Sequence, residues 1–159
     1  MVRAQEEATA TMRVVGTYGG ETRAVAVVGH YAYLGMGLRV QVVDVADASR
    51  PRKVGESHIL PGIVQDVFLS GDLAFVAVGE GGLQIIDVAD PASPRGIGAI
   101  DTLFAAAVQV ADGVAFIADA SGFLLIDVAD PSAPHELQSL NMQVTDPVVR
   151  QVAGYDVYS

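Results

Sequence analysis

The hexapeptide Val42-Val43-Asp44-Val45-Ala46-Asp47 occurs three times, returning as Ile85-Ile86-Asp87-Val88-Ala89-Asp90 and as Leu125-Ile126-Asp127-Val128-Ala129-Asp130. A proline follows each copy, at Pro51, Pro94 and Pro134. A second block precedes each copy: Tyr31-Ala32-Tyr33-Leu34, Leu73-Ala74-Phe75-Val76 and Val114-Ala115-Phe116-Ile117. The spacing gives a period of about 41 residues, and self-similarity at such a period constrains a fold more tightly than any single motif.

Each period divides into four short apolar pieces bounded by Gly, Pro or Asp. In the middle copy these are 64–69, 73–78, 82–88 and 95–100. No i, i+3, i+4 stripe persists long enough for a helix, so the pieces read as β-strands. Four strands per ~40–45 residues is the period of a propeller blade. The expectation is an all-β, propeller-type repeat with four antiparallel strands per blade, three full blades and a partial one. A polar segment is expected over 1–11 and the repeat domain over 12–159. Its parts are an outer strand at 12–18, blades at 22–57, 63–100 and 104–140, and a partial blade at 147–159.

Composition excludes several functions. With no Cys the chain has no thiolate nucleophile, cysteine–zinc site or iron–sulfur cluster. A net charge of −10, with Lys53 the only lysine, suits no nucleic-acid backbone. Hydrophobic residues make up 51% of the chain, yet no apolar run approaches the ~20 residues of a membrane helix. Met1 to Thr11 are polar and do not read as a signal peptide.

The stretch Gly-Leu-Gln-Ile-Ile-Asp-Val-Ala-Asp-Pro-Ala-Ser-Pro-Arg-Gly-Ile-Gly at 82–98 resembles the LVIVD repeat family of predicted β-propellers. The resemblance runs from residue 12 to 158, and three tandem copies make it specific. The first copy departs from the pattern, with Ala48 where the others carry Pro91 and Pro131. The resemblance implies a bacterial or archaeal propeller, often surface-associated, and hence an extracellular or cell-surface location. It implies no defined activity.

The recurring aspartates are the most tempting chemistry. Asp87 and Asp90, and their equivalents, form a D-x-x-D spacing that invites a metal. Calcium, however, wants six to eight oxygens from a denser loop. A short carboxylate at a strand end or before Pro is also a standard turn former. Recurrence favours the turn, because a folding device recurs in every blade and an active site does not. No phosphate loop, nucleophile elbow or paired-histidine metal motif is present, and no cofactor is expected.

Function is sought where the blades differ, on the D–A and B–C loops that open on one face of a propeller. The candidates there are His58, Asp66, Glu80, Asp101 and Asp119. Asp66 stands where the other copies carry Ala24, Ala107 and Val148, and its structural alternative is a hydrogen bond to a neighbouring blade's backbone. The loops are short, which favours a non-catalytic scaffold or binding module for a protein or glycan over a channel-face enzyme.

The strand count leaves a remainder: an outer strand, three complete sets, then only two strands. An open edge is an aggregation hazard. The chain is therefore expected to be a fragment of a larger propeller, a subunit completing its blade with another copy as a ring or filament, or a ring closed by its own outer strand. Met12, Val14, Tyr155 and Val157 are the expected assembly edge.

Overall fold

A computed structural model describes residues 13–15, 17 and 20–140. The described chain forms twelve strands: β1 (Ala24–Val28), β2 (Tyr31–Met36), β3 (Arg39–Asp44), β4 (Arg52–Glu56), β5 (Asp66–Ser70), β6 (Leu73–Ala77), β7 (Leu83–Asp87), β8 (Arg95–Ile100), β9 (Ala105–Ala111), β10 (Val114–Asp119), β11 (Gly122–Asp127) and β12 (His135–Leu140). They pair in sequence order into three antiparallel sheets of four, β1–β4, β5–β8 and β9–β12. These are three propeller-type blades, one per repeat. Among the described residues there is no helix, and so none long and apolar enough to cross a membrane.

Turn chemistry cuts the apolar sequence into these pieces. Gly29 and Gly71 take positive φ (57° and 56°) in the β1–β2 and β5–β6 hairpins, a conformation open to Gly at little steric cost. In the third blade Asp112 shares that task, with φ 50°. In the middle blade the first strand starts at Asp66 rather than at residue 64. The Val64 N–H is instead donated to Gly37 O, tying the connection back to the preceding blade.

The register repeats from blade to blade. Tyr33 faces Val42, Phe75 faces Ile85 and Phe116 faces Leu125. Between the third and fourth strands every blade carries one β-bulge, at Val42/Val43, Ile85/Ile86 and Leu125/Ile126. The bulges leave Val54, Ile97 and Leu137 without a cross-strand partner and sharpen the twist of the outer strand.

The first strand of each blade is innermost, β1 packing on β5 and β5 on β9. Two apolar cores lie between the blades. Tyr33, Val40 and Val42 of blade 1 meet Ala74, Val76 and Ile86 of blade 2. Phe75, Leu83 and Ile85 of blade 2 then meet Ala115, Ile117 and Ile126 of blade 3.

A close backbone approach locks the stack at its rim. A Cβ at Gly55 on β4 would lie 2.2 Å from Pro91 O, and one at Gly98 on β8 would lie 1.9 Å from Pro131 O. The glycine on each outer strand thus receives the third-to-fourth-strand turn of the next blade. This is the close approach for which a residue without a side chain is needed.

Of the outer strand expected over 12–18, only residues 13–15 and 17 are described. Arg13–Val15 and Thr17 lie outside any strand, and Val14 is 78% exposed. Met12, Tyr155 and Val157, and the partial blade at 147–159, lie outside the described residues.

Candidate functional site

The recurring aspartates are built into the turns. Asp44 Oδ1 accepts from Ala46 N–H at 2.9 Å, Asp87 Oδ1 from Ala89 N–H at 2.9 Å and Asp127 Oδ1 from Ala129 N–H at 2.8 Å. Three residues on, Asp47, Asp90 and Asp130 each accept a backbone N–H at 3.0 Å, from Ser49, Ala92 and Ser132. Each blade therefore carries two successive side-chain-to-backbone turns between its third and fourth strands. Asp87 and Asp90, the metal candidates, have oxygens committed in this way. Among the described residues no group of three or more His, Asp or Glu gathers where it would hold a metal ion.

These bonds favour the charged carboxylates. The Ala46 N–H, then the Arg52 guanidinium, hold Asp44 below the usual carboxylate range. The Ser132 hydroxyl and N–H do the same for Asp130.

Asp66 spans two blades. Its Oδ1 accepts from Val67 N–H at 2.9 Å and its Oδ2 from Val108 N–H on β9 at 3.0 Å. Val108 sits just past the irregularity where Asp119 pairs with Ala105 and Ala118 with Ala107. Inner strands have a free edge, and Asp66 satisfies one N–H of that edge from the adjacent blade.

Asp119 is similarly occupied. Its Oδ1 accepts from the Ser121 hydroxyl at 2.6 Å and the Ser121 N–H at 2.8 Å, and its Oδ2 accepts from Phe104 N–H at 2.7 Å. Partial burial raises its pKa, but the Ser121 and Phe104 bonds outweigh this and the net shift is downward. His58 lies elsewhere. It is exposed and stands over Gly96, at the rim of a shallow 350 Å3 recess lined by Gln84, Ile97 and other β7 and β8 residues. Glu80 and Asp101 are exposed on the loops.

Those loops form one continuous surface. Leu60 N–H donates to Leu38 O at 2.8 Å, joining the first connection between blades to the β2–β3 turn. Gly62 packs against Val78 O, where a Cβ would lie 2.0 Å away. Gly79 pairs with Ala105 in an isolated bridge, and Ala120 N–H donates to Phe104 O at 3.2 Å. Turn, connection, turn, connection and turn are thus laced in series across the three blades.

The residues most conspicuous on this surface are apolar: Leu38, Ile59 (61% exposed), Ile63, Leu103 (66% exposed) and Phe104. A search for charged and metal-binding side chains passes over them. The signal available in the sequence was that these large apolar residues fall between strands rather than within them. Among the described residues, the other exposed large apolar side chains lie before or within blades 1 and 3: Val14 and Val15, then Val25, Val27 and Val28, and Leu137 and Leu140. The strands of blade 2, flanked on both sides, expose none.

The fold is similar to that of two computationally designed proteins known from crystal structures. Ika4 has a TM-score of 0.65 at 9% identity, over 83% of this chain and 81% of its own. Ika8 has a TM-score of 0.62 at 10% identity, over 76% of this chain and 36% of its own. At such identities the likeness concerns the fold alone. No curated protein matches the sequence. The LVIVD repeat model matches three times, at residues 19–57, 61–102 and 104–142, each match containing one of the four-stranded blades. The chain belongs to the LVIVD repeat family.

Proposed function

We propose that this chain is a non-catalytic, propeller-type binding module whose loop face takes a protein partner. The observation that carries the reading is the placement of Leu38, Ile59, Ile63, Leu103 and Phe104, exposed and all on the inter-strand segments of one end. Being an end blade accounts for the exposed valines of β1 but not for these residues. An exposed apolar surface set on a firm scaffold is the usual mark of a protein contact. The lacing of turns and connections supports preorganisation, which lowers the entropic cost of binding.

Electrostatics supports the same reading. Glu80 and Asp101 leave negative charge beside the apolar residues, on a chain of net charge −10. A complementary partner presents an apolar centre with basic flanks. Asp66 and Asp119 are engaged by backbone donors, so they serve the scaffold better than they would serve acid–base chemistry, which needs a carboxyl free to exchange a proton.

Selection from a random peptide library, run beside a glycan panel, tests this. Peptides with apolar centres and Lys or Arg flanks are the expected yield, and Ile59→Asp with Leu103→Asp lowers their affinity at least tenfold. Binding that survives the double substitution, or that occurs on glycans alone, overturns the proposal.

A further inference from the structure

We infer that Phe104 is the anchoring side chain of the protein contact proposed above, and that Asp119 is a positioning residue that holds it in place. The inference rests on the loop face being that contact and singles out one side chain within it. The Phe104 backbone is held from both neighbouring blades. Its N–H donates to Asp119 Oδ2 at 2.7 Å, and its carbonyl accepts from Ala120 N–H at 3.2 Å, both at the end of β10 in blade 3. The next residue, Ala105, exchanges two backbone hydrogen bonds with Gly79 of blade 2, at 2.9 and 3.0 Å. The ring lies over that glycine: a Cβ at Gly79 would be 3.1 Å from Phe104 Cε2 and 3.4 Å from Cζ. Backbone and ring are thus placed before any partner arrives, with 36% of the residue still exposed.

The second oxygen of Asp119 separates this role from that of a simple turn former. The turn after β10 is completed through Oδ1, which accepts from the Ser121 hydroxyl and N–H. Oδ2 is not needed for that turn, and it reaches Phe104 on the preceding connection. In the register set by Tyr33, Phe75 and Phe116, the positions equivalent to Asp119 are Met36 and Val78, and neither carries a carboxylate. Ile63 stands where Phe104 does in the first connection, since Val64 N–H donates to Gly37 O as Ala105 N–H donates to Gly79 O. The clasp is therefore an addition to the repeat plan. It falls at the one aromatic residue among the exposed apolar side chains of this face.

An aromatic ring already fixed in place offers a large apolar contact with little conformational freedom left to lose, and Phe is enriched in the cores of protein interfaces. Leu103 and Ile59, 66% and 61% exposed, extend the contact around it.

A double-mutant cycle tests the inference, with the peptides selected on the parent protein as the probe. Affinities are measured at neutral pH, well below the thermal midpoint of each variant. Asp119→Asn keeps one oxygen for the Ser121 turn and loses the acceptor for Phe104 N–H. It should speed exchange of the Phe104 amide and weaken binding about three- to tenfold. Phe104→Ala should weaken binding at least about tenfold. The double variant should bind no worse than Phe104→Ala alone, because Asp119 acts through Phe104. Losses that add in the double variant overturn the positioning role. Binding that is lost on Ile59→Asp with Leu103→Asp but unchanged by Phe104→Ala or by Asp119→Asn overturns the inference and leaves the loop face standing as the contact. A selection that yields no peptide overturns both.

Discussion

An aspartate at the end of a strand can hold an ion or hold a turn, and in this chain each of the six repeated aspartates spends an oxygen on a backbone N–H. Removing such a bond costs about 0.5–1.5 kcal/mol. Asp90→Ala should therefore lower the thermal midpoint by a few degrees, and calcium should not move the midpoint of the parent protein; calorimetry with and without the ion reads both. Asp44, Asp119 and Asp130 have lowered folded pKa values. A depressed carboxylate contributes stability that is present above its unfolded pKa and lost as pH falls through the folded one. The midpoint should hold near neutral pH and decline as pH drops below about 4. Asp119→Asn should flatten that acid limb, and thermal scans from pH 6 to 2 measure the slope. The turn role of the recurring aspartates was legible in the sequence because recurrence itself separates scaffold from site. Asp66 stood out as the acid of its column, but no pattern in one sequence fixes its partner as Val108 N–H, forty-two residues away on another blade. The exposed apolar loop residues escaped notice because Ile and Leu advertise no chemistry until their burial is known.

At the scale of strands and turns, the blade interface depends on backbone as much as on apolar area. The sequence divides correctly into strands because Val, Ile and Phe alternate between Gly and Asp turns. The bulge between third and fourth strands, and the nesting of one blade's turn on the next blade's outer strand, leave no comparable trace. They arise from sheet twist and blade spacing, and only the glycines at 55 and 98 hint at them. A methyl group at Gly98 would sit 1.9 Å from Pro131 O, a distance that forces backbone to move. Overpacking of this kind typically costs about 1–3 kcal/mol. Gly98→Ala and Gly55→Ala should each lower the unfolding free energy by that amount, read as a fall in the urea midpoint at unchanged m-value. Gln138→Ala, at the same register on blade 3, should change that free energy by less than about 0.5 kcal/mol, as surface substitutions do. A loss at Gln138→Ala as large as at the two glycines would show that the Gln138 side chain is packed rather than exposed.

Across the whole molecule, stability follows from stacking. Each blade contributes one face to an apolar core and contacts its immediate neighbours, so the total approximates a sum of blade terms and interface terms. Blade 2 supplies residues to both cores: Ala74, Val76 and Ile86 on one side, and Phe75, Leu83 and Ile85 on the other. It can open only when two interfaces are lost, whereas opening of blade 1 or blade 3 needs one of these two cores to part. Local opening free energies range from near zero at frayed elements up to the global value in the best-packed ones. Native-state amide hydrogen exchange should therefore be slowest in β6 and β7 and faster in β2, β3, β10 and β11, although all six are central strands with similar pairing. Asp66→Ala should widen the gap, speeding exchange in β9 and β10 more than in β2, because its Oδ2 binds blade 3 and not blade 1. Uniform protection across the three blades would mean that the stack opens as one unit, and the additive picture of blades and interfaces would then have to be given up for this chain.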